Sequence, residues 1–203
     1  MNSLELKKRI LFAFFCLTVG TAMSFAGGIK GHVTASGIKS PASIAVYIDT
    51  IPGKTFNPPA KHVIMDQKNL KFVPHVLVVL KGSTVDFVNS DATLHNVFWP
   101  DIGGNRKLAH NLGTWPQGQH KSFTFDNLGA ASLLCNVHQE MSGYIVVVPT
   151  PYFATTNAQG NYEIKDVPPG HYTLKTWSEE GKPLTKPVDV GAGIATVDLT
   201  VHR

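Results

Sequence analysis

The sequence predicts an all-β protein built as two β-sandwiches. Three observations carry that expectation. Short runs of β-branched and aromatic residues (Val76–Leu80, Thr84–Val88, Lys121–Phe125 and Tyr144–Val148) are each bounded by Gly, Pro, Asn or Asp, which is how strands are punctuated. Ser122-Phe123-Thr124-Phe125 alternates, placing both phenylalanines on one face as a half-buried strand requires. No window has a helical period long enough for a major helix, so the layers available are sheets.

The first residues read as an address. Lys7, Lys8 and Arg9 precede an apolar core from Ile10 to Val19, and Ser24-Phe25-Ala26 supplies small residues at the −3 and −1 positions. Residues 1–26 are therefore expected to be a signal peptide cleaved after Ala26. Their apolar run is well short of the roughly 20 residues that span a bilayer. No later run reaches that length, so the expected mature chain is soluble and periplasmic or otherwise exported, with no transmembrane segment. The net charge of +4 falls to about +2 once Lys7, Lys8, Arg9 and Glu5 are removed, too little to argue for nucleic acid.

Cleavage also removes Cys16 and leaves Cys135 alone. An unpaired thiol in an exported protein needs a reason. Its neighbours supply one. In Leu133-Leu134-Cys135-Asn136-Val137-His138-Gln139-Glu140-Met141 a thiol, an imidazole and a thioether recur at Cys-x2-His-x2-Met spacing, in a polar loop between two apolar runs. His95 stands forty residues upstream in Asn89-Ser90-Asp91-Ala92-Thr93-Leu94-His95-Asn96. One thiolate and two imidazoles in a plane, with a weak axial Met, form an electron-transfer copper site. A lone Cys or Met is more often core filler, but both partners rarely fall at these offsets by chance.

The segments Asn89–Phe98 and Leu133–Val148 resemble the cupredoxin family of blue copper proteins. The two-residue gap between His138 and Met141 is closer to the short amicyanin-type loop than to the plastocyanin one. The resemblance implies a Greek-key β-sandwich over residues 60–149. It also implies one type 1 copper ion held by His95, Cys135, His138 and Met141, with Asn96 bracing the ligand loop. The implied function is single-electron carriage by Cu(II)/Cu(I), with no enzymatic activity and with a redox partner protein docking near His138. Copper sequestration or delivery uses similar donors and remains an alternative, as does a metal-free β-sandwich that binds partners.

Pro100 to Gln119 has no strand pattern and is expected to form loops near the copper end, with one helical turn. His110 and His120 lie in or beside it, and His75 follows Pro74. All three are read as non-ligands because the four residues above complete the site.

After Pro151 the composition changes. Asn157-Ala158-Gln159-Gly160-Asn161-Tyr162 and Val167-Pro168-Pro169-Gly170-His171-Tyr172 are turn-and-strand units. With them, residues 150–203 resemble the carboxypeptidase regulatory-like domain, a transthyretin-like sandwich without chemistry of its own. Some fifty residues are few for a core. Either residues 28–50 complete this sandwich, which makes the copper domain an insertion, or they join the copper sheet. Main-chain pairing of residues 29–48 with 153–201 favours the first arrangement.

Overall fold

The computed structural model describes residues 27–203; the expected signal peptide lies outside the described residues. Strands follow in chain order as β1 (Gly27–Ser36), β2 (Ala45–Ile48), β3 (Val63–Gln67), β4 (Phe72–Val73), β5 (Val76–Leu80), β6 (Ser83–Asn89) and β7 (His95–Trp99). A single 3-10 turn, Arg106–Leu108, precedes β8 (His110–Trp115), β9 (His120–Phe125), β10 (Gly129–Leu134) and β11 (Ser142–Val148). The chain closes with β12 (Phe153–Thr155), β13 (Asn161–Val167), β14 (Gly170–Trp177), β15 (Thr185–Val190), β16 (Ile194–Thr196) and β17 (Leu199–His202).

The first sandwich stacks the sheet β5-β11-β10-β7-β8 on the sheet β4-β3-β6-β9. Period-two patterning decides which side chains face inward. Along β6, Ser83, Val85, Phe87 and Asn89 are buried while Thr84, Asp86 and Val88 are half-buried. Met65, Val85, Phe87 and Phe125 from one sheet meet Val97, Trp99, Leu133, Ile145 and Val147 from the other in one core. Phe87, Trp99, Phe123 and Phe125 interlock there, their ring centroids 4.8 to 6.4 Å apart.

The second sandwich draws on both ends of the chain. β1 runs antiparallel to β13, with Ile29 opposite Ile164, and parallel to β16 and β17. β2 lies between β12 and β14 in the facing sheet, which continues to β15. Ile29, Val33, Ile164 and Leu199 pack across to Val46, Ile48, Leu174 and Val188. Residues 29–48 thus pair with residues 153–201 and not with the first sandwich.

The two sandwiches share a seam. Ala45 of β2 is buried against Val76, Val78, Val146 and Val148 of β5 and β11, with Tyr144, Phe153 and Trp177 at the margin. The outer face of β5 and β11 is therefore covered, which explains why both strands read as continuous apolar runs and not as alternations. Among the described residues no helix is long and apolar enough to cross a membrane.

One expectation is corrected. Residues 100–119 are not simply loops at the copper end. β7 and β8 are antiparallel, with His95 opposite Trp115 and Trp99 opposite His110. Pro100–Ala109 consequently lies at the opposite end of the sandwich from His95. The Trp99 indole N–H donates to the Leu108 carbonyl (3.1 Å) and ties that segment down. Only the turn Pro116–Gln119 stands beside Asn89 at the His95 end, joined by Gly118 N–H to Asn89 O (2.8 Å). Alternation fails to reveal β8 because it is an edge strand with mostly exposed, polar or glycine positions.

Candidate metal centre

Three strand ends place the predicted residues. His95 opens β7, Cys135 immediately follows β10, and His138 lies in the turn that leads to β11. Pairing of Leu134 with Phe98 on one side and with Ser142 on the other fixes these ends side by side. One donor atom each from His95, Cys135 and His138 falls within 4.8 Å of the others. His95 Nδ1 is 3.1 Å from His138 Nδ1 and 3.9 Å from Cys135 Sγ. His95 and Cys135 are buried and His138 is half-buried. Met141 is buried in the core beneath the loop, and its N–H donates to the His138 carbonyl (3.1 Å), closing the turn.

Hydrogen bonds aim these donors. The Asp91 carboxylate lies 2.9 Å from His95 Nε2. A carboxylate only accepts, so Nε2 carries the proton and Nδ1 turns its lone pair toward Cys135 and His138. Asp91 is itself held by the N–H groups of Asn69 (2.6 Å) and Leu70 (2.9 Å). Burial by itself would raise the Asp91 carboxyl. The hydrogen bonds from Leu70, His95 and Asn69 together outweigh it and keep the group below the usual carboxylate range.

Asn96 ties the two segments together. Its backbone N–H points at Cys135 Sγ (3.4 Å), and its side-chain oxygen accepts from the Asn136 N–H (3.3 Å). Its amide nitrogen donates to Asn111 Oδ1 (2.9 Å) and to the Gly113 carbonyl (2.8 Å). An N–H aimed at sulfur complements the negative charge of a ligating thiolate.

These residues fit a metal ion by the chemistry of the donor set. Bonds of about 2.0 Å to nitrogen and about 2.3 Å to sulfur reproduce the 3.1 Å and 3.9 Å separations around a single ion. Thiolate plus imidazole suits copper and zinc alike.

The remaining histidines lie elsewhere. His110 packs on Trp99 and Phe123, and His120 opens β9 on the exposed side. His62 and His171 pair with Asp86 and Asp189. His75 bonds Glu179 across the seam. Asp91 was not singled out from the sequence. Its position four residues before His95 was the available signal, but a polar loop holds several such residues and only the fold shows which one faces the ring.

Comparison with known proteins places the two parts separately. Residues 60–148 match the family of copper binding proteins described as the plastocyanin/azurin family. Over these residues the first sandwich is thus similar to copper binding proteins of that family. Residues 149–197 match polysaccharide lyase family 4, domain II, a different description from the carboxypeptidase regulatory-like domain that the turn motifs resemble. Solved structures similar to the chain include a reduced tryptophan-to-tyrosine variant of amicyanin, at 27% identity and TM-score 0.40, covering 44% of this chain and 84% of that one. The Cu(I) form of a methionine-to-alanine amicyanin variant is 26% identical at TM-score 0.40, covering 52% of this chain and 98% of that one. No curated protein matches the chain.

Proposed function

We propose that the chain is an exported, periplasmic electron carrier, in which a type 1 copper ion is held by His95, Cys135 and His138 with Met141 on the axial side. The observation that carries this reading is the convergence of one donor atom each from His95, Cys135 and His138 within 4.8 Å, from two segments some forty residues apart. Copper bound there supplies a Cu(II)/Cu(I) couple that takes up and returns one electron. The residues keep the donors from rearranging when the charge changes. Asp91 locks the His95 ring, Asn96 fixes Asn136 beside Cys135, and the Met141–His138 turn holds the loop closed.

His138, preceded by the exposed Val137, is the route by which a redox partner protein exchanges the electron. Burial of His95 and Cys135 disfavours a copper-delivery role, because handing the ion over requires an incoming ligand to reach it. We also read residues 60–149 as a domain inserted between β2 and β12 of the second sandwich; the pairing of β1 and β2 with β12–β17 supports this. Addition of Cu(II) to the metal-free protein tests the proposal. An intense visible thiolate-to-copper band with reversible one-electron voltammetry is expected. Colourless binding, or binding without a reversible wave, overturns it.

A further inference from the structure

The seam between the sandwiches carries a polar ring close to the copper loop. Glu179 lies in the turn between β14 and β15. One of its carboxylate oxygens is 2.8 Å from His75 Nε2, and the other accepts from the Tyr144 hydroxyl (2.9 Å). The Tyr144 N–H donates in turn to the His75 carbonyl (2.8 Å). Glu179, His75 and Tyr144 thereby form a closed circuit across the two sandwiches. The Tyr144 ring also packs edgewise on His75 and against Trp177, with centroids 5.5 and 5.0 Å apart. Burial first, then Glu179, pushes the Tyr144 phenol up to about 12, so it stays a proton donor to the carboxylate.

The turn bearing Glu179 is itself anchored. Lys39 binds Glu180 through both its ammonium (2.8 Å) and its backbone N–H (3.0 Å), and the Lys182 N–H donates to the His202 carbonyl (2.8 Å). On the copper side, Tyr144 is three residues after Met141. Between them Gly143 passes so close to β4 that a Cβ there would stand 2.7 Å from Phe72 Cβ and 3.2 Å from the His75 carbonyl oxygen. Phe72 and Met141 share the buried core. The chain leaving Met141 is therefore pressed on one side by Phe72 and gripped on the other by Glu179.

We propose that the second sandwich sets the axial side of the copper site, with Glu179 as a positioning residue that acts through Tyr144 and His75 on the segment carrying Met141. The inference rests on the copper reading above. Without the grip the Met141 thioether sits less firmly toward the metal. Loss of an axial donor that favours Cu(II) raises the reduction potential.

Glu179→Ala, Glu179→Gln and Tyr144→Phe test it, the last removing one arm of the circuit while keeping the ring. In the metal-free chain, amide hydrogen exchange at Met141 and Tyr144 is expected to quicken by about tenfold in Glu179→Ala. Glu179→Gln, which still accepts from Tyr144, is expected to stay near the parent. In the copper-loaded chain, Glu179→Ala and Tyr144→Phe are expected to raise the potential and alter the visible band pattern, and Glu179→Gln to restore both. Unchanged exchange, or a potential at or below the parent's in Glu179→Ala, overturns the proposal. A parent chain that shows no thiolate band with copper overturns the copper reading instead, and the metal-free exchange comparison then decides on the grip alone.

Discussion

His95 Nε2 meets the Asp91 carboxylate at 2.9 Å, so the buried imidazole has its proton and its ring plane set by a residue four positions earlier, in the loop that leads into β7. The arrangement gives the loop before β7 two tasks. It delivers one nitrogen donor to the site and immobilises it before any ion arrives. Asp91 is tied in turn to the β3–β4 turn through Asn69 and Leu70.

Replacing Asp91 tests this directly. Asp91→Asn keeps the shape but removes the charge that orients His95, and copper affinity is expected to fall by about 10- to 100-fold. Competition with a chelator of known affinity measures the loss.

The same carboxyl makes a prediction about acid. Its folded-state pKa is depressed, so the stability it contributes is complete above the unfolded value of about 3.9 and disappears as pH falls through the folded value. Urea unfolding of the metal-free parent and Asp91→Asn is therefore expected to show a gap at pH 7. That gap should close in strongly acidic solution. A gap that widens on acidification would contradict the sign.

Ligand roles are expected to separate cleanly. Cys135→Ser exchanges a soft thiolate for a hydroxyl and should lose the visible band along with most of the copper affinity. Met141→Leu substitutes a similar volume at a cost below about 1.5 kcal/mol. That variant should keep copper and colour, with a raised potential. Redox titration of both variants beside the parent checks the order.

Asn96→Ala removes a side chain that satisfies Asn136 N–H and Gly113 O in a part-buried setting. Losing those hydrogen bonds is expected to cost about 0.5–1.5 kcal/mol each, read from the urea midpoint of the metal-free protein. The visible band should also shift, because the Asn136 backbone beside Cys135 is released.

The apolar seam predicts that the two sandwiches unfold together. Ala45 is fully buried between them, and Ala45→Asp puts a charge there without a partner. The expected loss is of order 3–5 kcal/mol. Calorimetry should change from one transition in the parent to two in the variant, and two transitions in the parent would refute the coupling.

Some of this molecule was legible in its residues alone. The Cys135-x2-His138-x2-Met141 spacing is a local property, so the loop that closes the site needed no fold to be seen. Strand β5 was expected over Val76–Leu80 and forms over those residues, and β6, β9 and β11 extend their expected runs by one or two residues. Apolar runs and alternation are set by burial, which acts residue by residue along a strand.

Tertiary structure decided what depends on partners distant in sequence. The choice of β13, β16 and β17 as neighbours for β1, and the parallel pairing of β3 with β6 and β5 with β11, are properties of register between strands. A strand's own pattern says which face is buried but not which edge is joined, or in which direction. For the same reason residues 100–109 fell at the far end of the sandwich, and His75 met Glu179 more than a hundred residues away. Their chemistry was plain in the sequence, but only the packing of one sandwich on the other selected the partner.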